Sequence, residues 1–436
     1  MSFLYTLFSS VLALTLLPLL PFFAGRKKYR HRMFKRLGWG LAGHLARLPS
    51  TTAPTFWIHA LSVGEVTSAL PLVRSLREAY PEARIIFSTT TNSGGEVANK
   101  LLAPHTDALI PGPIDLGPVA ALFVRALQPD LFVLVETDFW PNWLHCFTRR
   151  GIPTLLVNGR ISEQSFARYK RFALFFRPMF RSFTLLSMQT EADAAKMIAL
   201  GIEPKKVTTL GNLKFDTSQV FGFRGDDKSV AMKKERYGFA AAKPLWACGS
   251  THRGEEELIF HVFKHLQTSV QDLQLLIAPR NIERAEEIAA LGRQYNLECR
   301  CWGNDKGKPG PLLILDTIGE LAACYAMADA VFIGGSLVAE GGHNPIEPAI
   351  AGAPVLFGPH MEDFAEIAEE LIHGGGARRI ESADSLLNAL RQLLLDAPLR
   401  QSMASAARAS VQAHQGVVGK HLEAIAILLS GKPSAG

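Results

Sequence analysis

The sequence predicts an α/β protein: two doubly wound parallel-sheet lobes behind an N-terminal membrane anchor helix. Three observations carry this expectation. From Thr55 onward, short apolar runs alternate with longer amphipathic stretches. The alternation breaks once, between Asp216 and Lys243, and then restarts. An uncharged run of 22 residues, Phe3 to Ala24, precedes everything else. Near-continuous apolar strands separated by helices mean a parallel sheet covered on both faces. A chain of 436 residues has room for two such lobes.

In the first lobe, strands are expected at Phe56–Ala60, Ile85–Ser88, Leu131–Val135, Thr154–Val157 and Leu185–Met188, with a helix at Thr67–Ala79. In the second, strands are expected at Leu245–Gly249, Leu273–Ala278, Leu312–Leu315, Val331–Ile333 and Val355–Phe357. Helices are expected at Glu255–Thr268 and Glu283–Tyr295. The polar, glycine-punctuated stretch 216–243 reads as a linker running into a helix. The organisation is then an anchor (1–25), a basic segment (26–50), a first lobe (51–215), the linker (216–243), a second lobe (244–414) and a C-terminal helix and tail (415–436). In doubly wound sheets, ligands bind beyond the carboxyl ends of the strands, so chemistry should follow strands and face a cleft between the lobes.

The apolar N-terminal run is long enough to cross a bilayer, which takes about 20 helical residues. Arg26, Lys27, Lys28, Arg30, Arg32, Lys35 and Arg36 follow it with no acid among them. A secretory leader carries its charge ahead of the apolar run instead. The positive-inside rule therefore places the rest of the chain on the cytoplasmic face of a membrane. Pro18 and Pro21 leave a second placement open, partly in the interface. These seven charges exceed the whole surplus of six. The body is thus nearly neutral, which argues against a nucleic-acid footprint. The five cysteines are odd in number and form no C-x-x-C pair, so a reducing compartment is expected. No His/Cys cluster has zinc spacing, and no Asp-x-Asp occurs to hold a cation against a diphosphate. Neither metal nor cofactor is expected.

Five stretches carry chemistry. Ser62-Val63-Gly64-Glu65 follows the first strand. Glu65 reads either as a base taking a proton from a hydroxyl or as a first-turn acid complementing the helix dipole. Thr89-Thr90-Thr91-Asn92-Ser93-Gly94-Gly95 can hold an anion on backbone N–H groups or simply cap a helix. Glu136-Thr137-Asp138-Phe139-Trp140-Pro141-Asn142 places two carboxylates at a strand end, with Thr137 or Asp138 as alternative caps. Gly249-Ser250-Thr251-His252-Arg253-Gly254-Glu255 opens the second lobe, and Ser250 and Thr251 are expected to face a donor phosphate. Gly334-Gly335-Ser336-Leu337 with Glu340-Gly341-Gly342-His343-Asn344-Pro345-Ile346-Glu347 lets backbone pack close to a ligand. There Glu347 is placed to accept the hydroxyls of a ribose.

With these stretches in order, the chain resembles the Kdo (3-deoxy-D-manno-octulosonic acid) transferases of Gram-negative lipopolysaccharide synthesis. SVGE, ETDFWPN, NGRIS, LGNLKFD, STHRGEE, PR, GGSLVAEGGHNPIE and GPHMEDF occur in that sequence, and the likeness runs from the N-terminus to about His414. The resemblance implies the two-Rossmann-lobe (GT-B) glycosyltransferase fold and an inverting transfer. The implied donor is CMP-Kdo, and the acceptor is the 6′-hydroxyl of a tetraacyl glucosamine disaccharide 1,4′-bisphosphate, the lipid A precursor. It also implies roles: Glu65 as general base, and Glu136 with Lys214 as transition-state stabilisers. CMP contacts would come from Pro279–Arg280, from Ile318, Gly319 and Glu320, and from Asn344, Pro345, Ile346 and Glu347. Lys214 and the Ile318–Glu320 turn rest on the resemblance alone. One departure stands out. Pro279-Arg280 is followed by Asn281-Ile282-Glu283-Arg284, where the family pattern has His-Pro-Glu-Arg, so a histidine role there has no counterpart. A sugar-nucleotide 2-epimerase of the same fold is the rival by architecture, though it has no reason to carry an anchor. A non-catalytic membrane scaffold is the rival from another class, though it has no reason to keep Glu65.

Overall fold

The structure is a computed structural model that describes residues 5, 33–136, 139–217 and 227–431. The expected anchor (apart from Tyr5), residues 26–32 of the basic segment, the Thr137 and Asp138 candidates, part of the linker and the last five residues lie outside the described residues. Among the described residues no helix is long and apolar enough to cross a membrane.

The chain forms two compact units, residues 1–216 with 416–436 and residues 217–415. The first is built on a seven-stranded sheet: β1 (Thr55–Ala60), β2 (Arg84–Thr89), β3 (Ala108–Pro111), β4 (Leu131–Val135), β5 (Thr154–Gly159), β6 (Leu185–Met188) and β7 (Val207–Thr209). Their spatial order is β3-β2-β1-β4-β5-β6-β7, and every pairing is parallel. All carboxyl ends therefore share one edge. All residues of β1, β4 and β5 are buried, as a sheet covered on both faces requires. Trp57, Phe132, Trp143 and Phe147 pack edge-on and stacked at its centre.

The helices that matter to the site are α1 (Val63–Ala79), α2 (Asn92–Leu101), α3 (Pro141–Arg149), α4 (Glu255–Leu266), α5 (Ile346–Ala351) and α6 (Val417–Ser430). Helix α1 begins four residues ahead of the sequence expectation, with Ser62 at its N-cap. Gly64 hides that start from propensity, because glycine is a poor helix former. Helix α6 belongs to the first unit although it is last in sequence. The carboxylate of Asp216 receives the N–H groups of Gly416 (2.8 Å) and Val418 (2.6 Å) at its start. His421 is fully buried on it. Its Nδ1 faces the Val417 carbonyl (2.8 Å), so Nδ1 carries the proton and Nε2 accepts from the Ser187 hydroxyl (2.9 Å). Burial pushes this imidazole down to about 4.

The second unit repeats the plan with β8 (Leu245–Thr251), β9 (Gln274–Pro279), β10 (Arg300–Cys301), β11 (Leu312–Ile314), β12 (Ala330–Ile333), β13 (Val355–Phe357) and β14 (Ala377–Arg379). The order is β10-β11-β9-β8-β12-β13-β14, again all parallel. Trp246, Phe260, Phe263 and Phe332 anchor its core. The four strands that sequence did not mark (β3, β7, β10 and β14) are the outermost strand on each side of the two sheets. Each has two to four residues, too few for an apolar run to register, and short edge strands resist unwanted pairing. Part of the stretch read as linker is helical (Asp227–Arg236). Lys234 ties it into the second unit through Asp329 (3.2 Å) and the Lys243 carbonyl (2.7 Å).

Candidate active site

In the first unit the sequence-chosen residues line up along the carboxyl edge. Glu65, 5 % exposed, stands in the first turn of α1 beyond β1. Its carboxylate accepts the N–H of Leu61, so it closes the helix start from inside while staying at the strand end. The dipole reading and the base reading thus describe one side chain in one place. Thr91, beyond β2, caps α2: its hydroxyl accepts from Gly94 N–H (3.1 Å) and donates to the Leu61 carbonyl (3.0 Å). Of the two sequence readings of that loop, the cap is the one seen.

Beyond β4, Glu136 adopts φ 63°. A left-handed conformation costs a non-glycine residue about 1–2 kcal/mol and persists where surroundings over-determine it. Here its N–H donates to the Val157 carbonyl (2.9 Å). Its Oε1 receives the Asn158 side-chain N–H (3.1 Å) and lies 3.8 Å from Lys214 Nζ. The structure therefore brings together the acid chosen from the motif and the lysine named only by resemblance. Both side chains remain about one-fifth exposed, open to a ligand. Asn142 is instead buried at the start of α3. Its N–H and side-chain amide engage Asp115, a carboxyl that burial pushes up to about 6.

In the second unit the candidate residues lie at or beyond the ends of the neighbouring strands β11, β9, β8 and β12. Thr251 pairs in register with Pro279, and Arg280 N–H donates to the Thr251 carbonyl (3.0 Å). The Ser250–Thr251 and Pro279–Arg280 stretches therefore lie side by side. Ser250 takes φ 56° and is partly exposed, but Thr251 is buried, its hydroxyl donating to Glu256 (2.9 Å). The Thr251 hydroxyl is therefore turned inward, and Ser250 is the more open of the pair. Glu256 also receives both terminal nitrogens of Arg284 (2.9 and 3.2 Å). The arginine retained after Pro279–Arg280 thus serves an internal ion pair.

The glycine-rich loop after β12 holds the largest surprise. Gly335, Ser336 and Leu337 turn three successive N–H groups onto the carboxylate of Glu255 (2.8, 3.1 and 3.1 Å), which also accepts from His252 N–H (2.9 Å). Such an amide nest binds anions, and the chain supplies its own. Two glycines explain the loop. A Cβ on Gly334 would meet the Ser250 carbonyl oxygen at 2.4 Å, and Gly335 sits at φ +67°. Against this loop His252 and His343 stack, Nε2 to Nε2 at 2.8 Å, so one nitrogen carries the proton between them. Burial, then the neighbouring His252 and Arg280, push His343 down to about 4.

Asn344 stands just before α5: its oxygen accepts Ile346 N–H (3.0 Å) and its amide donates to Glu347 (3.2 Å). Glu347's charge, added to burial, keeps the Tyr325 hydroxyl protonated. Ile318 is exposed, Gly319 takes φ 90°, and Glu320 accepts from Trp302 Nε1 (2.9 Å) and Thr317. Sequence reasoning did not single out Asn158, Glu255 or Asp216. Each is buried and works through the backbone of a distant segment, and the one signal available was membership of NGRIS, STHRGEE and LGNLKFD.

Comparison with known proteins identifies the family and the fold. The family model described as 3-deoxy-D-manno-octulosonic-acid transferase (kdotransferase) matches residues 31–217. The 3-deoxy-D-manno-octulosonic acid transferase of Haemophilus influenzae is 32 % identical over 403 residues, 91 % of each chain. A glycosyltransferase from Rickettsia africae has the same fold (TM-score 0.60, 12 % identity, 87 % of this chain and 100 % of that one). So does the UDP-GlcNAc 2-epimerase of Neisseria meningitidis (TM-score 0.59, 12 % identity, 85 % of this chain and 100 % of that one). Transferase and epimerase are alike in fold, and sequence separates them. The chain belongs to the 3-deoxy-D-manno-octulosonic acid transferase family and is a glycosyltransferase.

Proposed function

We propose that the enzyme moves Kdo from CMP-Kdo to the 6′-hydroxyl of the tetraacyl disaccharide 1,4′-bisphosphate lipid A precursor, working at the cytoplasmic face of the inner membrane. The observation that carries this reading is the match over nine-tenths of both chains to a named Kdo transferase. Glu65, Glu136 and Lys214 all stand at the carboxyl edge of one sheet in support of it. The apolar run Phe3–Ala24 with its trailing basic residues supports an anchor that confines the enzyme to its acceptor's surface.

The reaction is a single displacement. Glu65 takes the proton of the acceptor hydroxyl, whose oxygen forms a bond to the anomeric carbon of Kdo. The bond from that carbon to the phosphate oxygen breaks, and CMP leaves with the electron pair. Attack from the opposite side inverts the centre. Glu136 and Lys214 stabilise the transition state electrostatically. The donor's CMP is held in the second unit by Pro279–Arg280, Ile318–Glu320 and Asn344–Glu347, with Ser250 beside them.

A product assay tests this. The full chain in detergent or vesicles is given the acceptor, CTP, Kdo and a CMP-Kdo synthetase, and the lipid is weighed by mass spectrometry. A gain of one or more Kdo masses is expected, and the spectrum counts the transfers. An unchanged lipid with CMP still bound would overturn the acceptor assignment.

A further inference from the structure

We propose that Asn158 is a positioning residue for transfer, the head of a carboxamide relay with Gln189 and Asn212 that fixes Glu136 against Lys214. The proposal rests on the roles given to Glu136 and Lys214 above.

Asn158 lies one residue before the end of β5 as Glu136 follows β4, and the two neighbours share a left-handed backbone, φ 60° and 63°. Asparagine tolerates that conformation far better than glutamate does. Its side chain is fully buried and used at both ends. The Leu213 N–H can only donate, so it fixes Oδ1 (2.9 Å) and leaves Nδ2 pointing at Glu136 Oε1 (3.1 Å). One carboxamide thus joins the acid to the residue next to Lys214.

The relay continues along the edge. Gln189, after β6, donates to the Asn158 carbonyl (3.0 Å), and its own oxygen accepts from Asn212 (3.1 Å). The Asn212 oxygen accepts Lys214 N–H (3.0 Å). The path starts at Glu136, crosses the ends of β5, β6 and β7, and returns through Lys214 Nζ to the same Glu136 oxygen. Each amide orientation is fixed by a backbone partner or by the next amide. A carboxamide suits this task because it donates and accepts at once and carries no charge to compete with the pair it holds. An acid in place of Asn158 could still accept from Leu213, but would set a carboxylate against Glu136.

The test is a double-mutant cycle on the full chain, measuring transfer from CMP-Kdo to the tetraacyl disaccharide bisphosphate, with a thermal melt beside each variant. Asn158→Asp is nearly isosteric and keeps the left-handed tolerance. It should lower kcat at least about tenfold with both KM values within about threefold, the pattern of a lost transition-state interaction. In a Glu136→Gln background the same change should cost less than about twofold, because it acts through Glu136. Asn158→Gly removes both side-chain bonds without backbone strain. It should show the same split and covers the case in which the aspartate fails to fold. Equal losses in both backgrounds, or wild-type kcat in a folded Asn158 variant, would overturn the proposal. Wild-type turnover of Glu136→Gln alone would overturn the role of Glu136 and this inference with it. An inactive Glu136→Gln beside an active Asn158→Asp would remove only the inference.

Discussion

The two units share one plan, a seven-stranded parallel sheet with its loops gathered on the carboxyl edge, yet they use carboxylates in opposite ways. In the first unit Glu136 keeps part of its surface open beside a lysine, and Glu65 accepts the N–H of Leu61 at the start of its own helix. In the second unit Glu255 and Glu256, each 1 % exposed, turn inward. One fills the amide nest of the glycine-rich loop, and the other neutralises Arg284. A carboxylate that balances charge during reaction, as proposed for Glu136, can sit on a strained backbone that its surroundings hold in place. A carboxylate that shapes a loop needs every lone pair satisfied. On the proposed reading, the carboxylates of this edge serve chemistry in the first unit, while Glu255 and Glu256 shape the loops of the second.

One substitution made in both units tests this contrast. Glu65→Gln keeps an oxygen to accept from Leu61, so the fold should survive while proton removal is lost. Turnover should drop about 10²–10⁴-fold with CMP binding and melting unchanged, and wild-type turnover would sink the base assignment. Glu255→Gln should do the reverse. Either oxygen it replaces accepts two of the four N–H groups, so the amide sets N–H against N–H and orphans two donors, each at about 1–3 kcal/mol when buried. The second unit should lose about 2–4 kcal/mol in urea titration, and the folded fraction should retain near-normal turnover. A stable, inactive Glu255→Gln would show that the nest serves catalysis directly and would erase the distinction.

The next effect is pH-dependent. His421 sits near 4 in the folded first unit and near its ordinary 6.5 when unfolded. As pH falls below 6.5 the unfolded chain takes the proton first, so stability present at neutral pH is lost between about 6.5 and 4, by at most about 3 kcal/mol. Asp115, raised to about 6, acts with the opposite sign in an overlapping window. The comparison is therefore wild type against His421→Gln at pH 7 and pH 4.5. The variant should lose less on acidification, and an unchanged slope would mean that this imidazole is not the group being titrated.

Much of the sheet was legible because buried parallel strands are uniformly apolar: Leu131–Val135 and Val355–Phe357 were read to the residue. Glu65 and Glu136 were legible because an acid straight after such a run is unusual. Lys214 was not. It lies in a 3₁₀ turn (Leu213–Thr217) after the three-residue edge strand β7, and the periodicity contains nothing to join it to Glu136, 78 positions earlier. Asn158 and Asp216 were hidden for a related reason. Their partners, Leu213 and the start of α6, become neighbours only when the sheet order is known. The inward turn of the Thr251 hydroxyl was not legible, because a hydroxyl at a strand end looks alike in sequence whether it meets a ligand or a buried glutamate.

The smallest effect decides between two readings of the loop after β2. Leu61 is the joint there: its N–H goes to Glu65, and its carbonyl accepts both the N–H (3.1 Å) and the hydroxyl (3.0 Å) of Thr91. If Thr91 acts only as the cap of α2, Thr91→Ala should cost about 1 kcal/mol, Thr91→Ser should restore most of it, and transfer should stay within about twofold in both. If the loop instead holds an acceptor phosphate, Thr91→Ala should raise the acceptor KM by tenfold or more while the melting temperature barely moves. The first outcome leaves the proposed roles of Glu65, Glu136 and Lys214 with no anion site beside them in this loop. The second would make the backbone of this unit an anion site after all, the task that the glycine-rich loop of the other unit has given to Glu255.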